Sequence, residues 1–264
     1  MNSLLVPESL NGQWLEQAEF SALSSQLDYI DIIVDPVGSG QPLAESLSHL
    51  SPGVRRGSLF EGTPEEGLGD DSPFLVRLSW CEWQHKSWLS EIVRRYGAES
   101  RLLLLISPLA FDELKSHLTA LSQFLWEEQS GVLRFYDTRI FPELFNHVLT
   151  TEQQQCFTRI AYYWSWLDRD LLQIWKRGGI DTDNDNGSLS ASEPVHITDK
   201  QFDMIGCISD AEIYSRATDS KDLSKEAYFQ HYLRIVLDAS QSNFTGDIKD
   251  YIKHSETAFP DMKY

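Results

Sequence analysis

The stretch that most constrains the fold is LLLLI at residues 102–106. Five apolar residues in a row leave no face for water, so a strand built from them must be covered on both sides, as in a parallel sheet. The run is far too short to cross a bilayer, which needs about twenty apolar residues. Helical patterns supply the cover. ESLNGQWLEQAEFSALSSQL (8–27) has apolar residues near helical spacing, and an aromatic-rich helix is predicted over 83–96. After Ser107-Pro108, the residues Phe111, Leu114, Leu118, Leu121 and Leu125 form one helical stripe.

Between these segments lie further strand patterns: YIDIIVD (29–35), RRGSLF (55–60), FLVRLSW (74–80) and VLRFYD (132–137). A short helix is predicted between the first two, before Pro52-Gly53, and another begins at Thr63-Pro64. Thr63 and Glu66 have capping-box spacing. Ile140, Phe141, Leu144, Phe145 and Val148 give another helical stripe. RIAYYWSWLD and LLQIWKR read as an antiparallel hairpin turning at Asp168-Arg169-Asp170. Three more helices are predicted near 199–217, 224–240 and 245–256, the first opened by a capping box of Thr198 and Gln201. Strands alternating with helices imply right-handed crossovers. The expected fold is α/β: a mainly parallel sheet flanked by helices, an added antiparallel hairpin, and a smaller C-terminal helical lobe. Residues 1–180 form the α/β domain and 195–264 the lobe, joined by the polar loop 181–194.

The chain has 264 residues, enough for such an arrangement, and its 41% apolar content can build a core. Its formal charge of −18 would repel a phosphate backbone, so nucleic acid is excluded as a partner, and anionic membrane with it. Three cysteines, Cys81, Cys156 and Cys207, are too few and too scattered for a disulfide framework. With no signal-peptide pattern at MNSLLVPESLNGQW, the expected location is the cytoplasm.

Polar residues end the strands: Asp35, Ser79, Ser107 and Asp137. In a parallel sheet they could line one pocket, for a small molecule or an enzymatic reaction; the ordinary role of such residues is to cap the helices that follow, which every α/β unit needs. No nucleophile elbow, zinc-protease, P-loop or dinucleotide motif occurs, and Gly38-Ser39-Gly40 lacks the third glycine and lysine of a phosphate loop. Cys81 and His85 have the spacing of a metal pair but no second pair nearby, so no metal or other cofactor is expected. His117 lies on an apolar stripe, within reach of Glu113. Counted from Thr182, loop 181–193 puts Asn184, Asn186, Gly187, Leu189 and Glu193 at calcium-loop positions, with Thr instead of Asp at the first. It is read as a flexible acidic loop, with calcium as the alternative. The segments WCEWQHKSW and AYYWSWLDRDLLQIW are dense in rings, the usual material of cores and of protein interfaces.

Three strings share an order and spacing with a known family: SLFEGTPEEGLGDDSPFLVRL (58–78), SPLAFDELKSHL (107–118) and GVLRFYDTRIFPELFNHVLTTEQ (131–153). Over roughly residues 28–180 the chain resembles the effector adaptor, or effector-chaperone, proteins (Tap/TEC-type) of bacterial type VI secretion systems. The resemblance implies a non-enzymatic protein that binds a toxic effector in the cytoplasm and hands it to the VgrG spike. The family's Leu-Tyr/Phe-x-Gly-Thr step falls on Leu59, Phe60, Glu61, Gly62 and Thr63. Its Arg-Phe/Tyr-Tyr-Asp-Pro-Arg string falls on Arg134, Phe135, Tyr136, Asp137, Thr138 and Arg139, with Thr138 in place of the usual proline. The binding or scaffold motif is therefore Phe60, Gly62, Thr63, Arg134, Tyr136, Asp137 and Arg139. In a strand, Asp137 would end at the carboxyl edge as a helix cap. Arg139 would sit in the next helix's first turn, where a positive charge needs a partner. Arg134 and Arg139 are expected to meet carboxylates or carbonyls.

Overall fold

The computed structural model describes residues 5–38, 43–180, 193–217, 223–242 and 244–258. All of the calcium-loop reading of 181–193 except Glu193, and most of the Gly38-Ser39-Gly40 turn, lie outside them. The chain runs α1 (Glu8–Ser24), β1 (Tyr29–Val34), α2 (Leu43–Ser48), β2 (Arg55–Ser58), β3 (Phe74–Ser79), α3 (Trp83–Tyr96), β4 (Leu102–Ile106), α4 (Phe111–Leu121), β5 (Gln123–Trp126) and β6 (Gln129–Val132). It continues with α5 (Phe141–Glu143), α6 (Thr151–Thr158), β7 (Tyr163–Leu167), β8 (Gln173–Arg177), β9 (Val195–His196), α7 (Asp199–Ala217), α8 (Lys225–Gln241) and α9 (Ile248–Ala258).

Six strands form one sheet in the order β2-β3-β1-β4-β7-β8, and every neighbouring pair is antiparallel. The expected mainly parallel sheet is thus overturned. The reason is a split crossover. Strands β3 and β4 do run in the same direction and α3 does join them, but β1 inserts between the two and runs the other way. A strand–helix–strand pattern is the same whether its strands are neighbours or separated by one. LLLLI reported correctly on burial and not on direction. Its residues are buried because helices cover both faces.

One face packs Ile30, Ile32, Val34 and Leu104 against Trp14, Ala18 and Ala22 of α1 and Leu89, Ile92 and Val93 of α3. The opposite face packs Ile33, Leu75, Leu103 and Leu105 against α4, the 133–149 segment, α6 and the C-terminal helices. Ile208, Ala211, Phe229, Leu233 and Ile252 of α7, α8 and α9 belong to this same apolar cluster. The hairpin of β7 and β8 forms as expected.

Local differences have local causes. Helix α4 stops at Leu121, where Ser122 Oγ donates to Thr119 O, so Leu125 falls on β5 in a small sheet of β6, β5 and β9. Segment 133–137 is not a strand. Phe135 N donates to Leu133 O, Asp137 N to Arg134 O and Thr138 N to Ser100 O, which makes it a run of tight turns. Past Thr63 the chain forms a 3₁₀ turn over Glu66–Asp71, broken at Gly69, rather than an α-helix. The capping box of Thr198 and Gln201 is present. Among the described residues no helix is long and apolar enough to cross a membrane.

Candidate functional site

The antiparallel register separates the four polar strand ends. Tyr29 pairs with Ser79, and the Tyr29 hydroxyl donates to Ser107 O at 3.0 Å, so Ser79 and Ser107 lie where β1 begins. Asp35 lies past the other end of β1, about 20 Å away by strand rise. Asp137 is beside Asp35, since Arg134 reaches both. A single pocket lined by all four is therefore ruled out. Each serine also has its own partner: Ser107 Oγ donates to Ile160 O across the fold at 2.6 Å, and Ser79 Oγ accepts from Cys81 N at 3.1 Å.

The structure does bring the two motif strings together. Phe60 and Tyr136 meet edge to face with centroids 6.3 Å apart. Gly62 takes φ +77°, a left-handed value that a side chain disfavours, and its N–H donates to Glu66. Thr63 Oγ1 donates to Phe60 O and accepts from Glu65 N, closing a side-chain turn where a capping box had been expected. A Gly62→Ala variant is expected to lose about 1 kcal/mol, from backbone strain alone because the space around Gly62 is open. Chemical denaturation reads this loss.

Within 134–139 the apolar and charged side chains part company. Phe135 is fully buried among Phe141, Phe157 and Trp164. The charged residues turn the other way and pair. Arg134 lies 3.2 Å from Asp35 and 3.7 Å from Asp137. Arg139 grips Asp137 with two bonds, Nε to Oδ1 at 2.8 Å and Nη2 to Oδ2 at 2.5 Å. Asp137 Oδ1 also accepts from Arg139 N, so the carboxylate closes the turn that opens α5. Asp137 thus acts in the turn before the helix, not at the edge of a strand.

The network continues into the β7–β8 turn and into α7 and α8, whose sequences do not mark them as partners of the motif, apart from the charged turn itself. Arg139 Nη1 reaches Glu212 on α7 at 3.5 Å. Arg169, in the β7–β8 turn, donates to Glu212 at 3.1 Å, to Glu226 on α8 at 2.8 Å and to Arg139 O at 2.9 Å. Its guanidinium lies 3.5 Å over the Phe229 ring. Next to it, Asp170 accepts from Lys225 N and Glu226 N at the start of α8, where a negative charge is favoured. The chain of charges therefore runs from the end of β1, through the motif turn, to the hairpin and to α7 and α8. Burial works against the Arg139 charge, and the Asp137 carboxylate more than offsets it, leaving the pKa raised. Burial and the Asp35 charge push the Tyr136 hydroxyl well up, so it stays protonated.

Two buried carboxylates were also missed. Asp31 in β1 is fully buried opposite Arg77 in β3, which bonds it at 2.8 and 2.7 Å. A carboxylate in the middle of YIDIIVD facing an arginine in FLVRLS was the available signal. Burial lifts Asp31 to about 6 against the pull of Arg77. Glu143 is 1% exposed, and burial raises its pKa to about 7 against the nearby Arg169 charge. Gln230 donates to it, and His147 Nε2 is 3.4 Å away. Between the unfolded value of about 4.3 and the folded value of about 7, the folded chain holds a proton the unfolded chain has lost, so stability falls as pH rises through that window. Relative to wild type, Glu143→Gln is expected to gain on the order of 2 kcal/mol between about pH 5 and about pH 8. Urea denaturation at both pH values measures it.

The two histidines considered as site residues have structural surroundings. His85 accepts from Ser79 N at Nδ1 and faces Pro52 O at 2.8 Å with Nε2, so both ring nitrogens are occupied. That removes it from a metal pair with Cys81. His117 is buried on α4, and burial together with the Arg159 charge lowers its pKa, while Glu113 raises it. Among the described residues no three His, Cys, Asp or Glu side chains are grouped to hold a metal ion.

No curated protein and no solved structure matches the chain. A family model does match, and its span holds Asp35 and both motif strings but stops before Arg169, Glu212 and Glu226. Residues 32–156 of this chain are similar to the family described as "Domain of unknown function (DUF4123)".

Proposed function

We propose that the chain is a non-enzymatic adaptor that binds a type VI secretion effector in the cytoplasm and loads it onto the VgrG spike. Support comes first from the place of the family match, which falls on the strings that resemble the type VI adaptors. The observation that carries the reading is how the motif's charges are arranged. Asp35, Arg134, Asp137 and Arg139 are engaged with one another and with Glu212, so they form a clasp that is buried except at Arg134. A catalytic carboxylate would instead need an open approach and a partner poised to exchange a proton. In this reading the clasp holds the C-terminal helices against the sheet, and exposed surface does the binding. Net acidity sets the orientation and speed of encounter with a cargo.

Deletion of the gene tests the proposal. The expected result is that one effector disappears from the secreted fraction while the spike is still secreted. Unaltered effector delivery would sink it. The alternative reading, a small-molecule site or enzyme at the strand ends, required four convergent residues, and the register places them at two opposite ends.

A further inference from the structure

Helices α1 and α3 lie side by side and antiparallel, and three contacts give their alignment. Val6 N donates to Arg94 O at 3.2 Å, Asn11 Nδ2 to Ser90 O at 2.9 Å, and Lys86 Nζ meets Glu19 at 2.6 Å. Each step forward on α1 is a step back on α3, so the next turn brings Leu23 towards Trp83. From the other side Trp80 N donates to Asp28 O at 2.8 Å, which holds the end of the α1 segment against the start of α3. Here the chain leaves large apolar side chains in water. Trp83 is 73% exposed, Phe20 67% and Leu23 53%. Phe20 and Leu23 are three apart on α1 and so share a face. That face is not the core face, which is Trp14, Ala18 and Ala22.

Scattered single apolar residues need no explanation, but three large exposed ones near a single helix junction do. Trp and Phe are the side chains that anchor interfaces. The rim is mainly acidic, and its one named cation, Lys86, is already paired. Glu16 precedes Phe20 by one turn, Glu82 precedes Trp83, and Asp28 lies behind Trp80. The ammonium of Lys86 is held by Glu19.

We propose that Phe20, Leu23 and Trp83 form a docking patch for an apolar anchor of a partner polypeptide flanked by lysine or arginine. The charge complementarity of an apolar centre and a carboxylate rim selects this occupant over an acidic chain. The inference rests on the adaptor reading and places the cargo contact on the α1–α3 face of the sheet, opposite the face that carries α4 and the C-terminal helices.

The test titrates two synthetic helical peptides into the full chain by calorimetry. Both carry leucine and phenylalanine on one face; one is flanked by lysines and the other by glutamates. The lysine peptide is expected to bind about tenfold or more tightly than the glutamate peptide, and Phe20→Ser/Trp83→Ser is expected to weaken it by about tenfold or more. The melting temperature of the double variant checks that it folds, which exposed positions favour. Equal binding of the two peptides, or unaltered binding by the variant, overturns the proposal. Concentration-dependent self-association of wild type that the variant abolishes would give the patch to a second copy, and also overturns it. Should the peptide arm fail while wild type still co-purifies with effector and spike, the patch is wrong and the adaptor reading stands. Loss of that co-purification from wild type is the separate failure of the reading.

Discussion

Arg169→Ala is expected to be the most damaging single substitution in the network, lowering stability by about 3–5 kcal/mol. The Arg169 side chain is 8% exposed and ties three elements at once: Glu212 on α7, Glu226 on α8 and the Arg139 carbonyl beside the motif. Removing it leaves Glu226 without its guanidinium partner in the first turn of α8, uncovers Phe229 and orphans a carbonyl. Glu212 suffers less, because Arg139 and Arg216 still reach it. For a chain of this size the melting temperature should fall by roughly 10 °C. Lysine at the same place restores charge but not a planar fork pointing three ways, so Arg169→Lys should recover less than half of the loss. Full recovery by lysine would mean that charge alone mattered and that the fork does not hold the hairpin to the helices.

The second large effect is expected at Asp137. Its side chain is 3% exposed, and Arg139, which it holds, is 18% exposed. Alanine there removes both the bidentate pair and the acceptor that closes the turn before α5, at a combined cost of about 3–5 kcal/mol. Asparagine keeps the turn acceptor and loses the charge, so Asp137→Asn should fall between alanine and wild type. A double-mutant cycle with Arg139→Ala should give a coupling of about 2 kcal/mol or more. A coupling near zero would show that the two residues act apart, against the clasp. Arg134→Ala should cost much less, about 1 kcal/mol or under, since that side chain is half in water.

How much of this was legible in the chain depended on the range of the interaction that sets each feature. Periodicity and caps are local, and they located α3, the β7–β8 hairpin and the helix at 199–217 closely. Strand direction is not local. The pattern from FLVRLSW through the α3 helix to LLLLI was correct as a crossover, yet nothing in it shows that YIDIIV lies between. The strand predicted over 132–137 ends at Val132, because alternation of apolar and charged residues fits tight turns as well as a pleat. Its chemistry was nevertheless predictable: two arginines among apolar residues must find carboxylates or pay desolvation, and Asp35 and Asp137 answer them. Which distant carboxylate completes the set was hidden. Glu212 and Glu226 are ordinary helical glutamates in sequence, and only the packing of α7 and α8 on the sheet brings them to Arg139 and Arg169. The charged turn Asp168-Arg169-Asp170 between two aromatic strands was the one visible hint. The exposed Phe20 and Leu23 escaped notice because a helix apolar on two sides gives a blurred stripe.

As proposed, the chain holds a cargo and a spike protein, with the motif as internal scaffold. Native mass spectrometry of the tagged chain purified from its own cells under gentle conditions tests this most directly. The expected result is a complex of defined stoichiometry containing one effector together with the spike, present in wild type and diminished in Arg169→Ala in step with its loss of fold. A chain that is recovered alone, with neither effector nor spike bound, would contradict it.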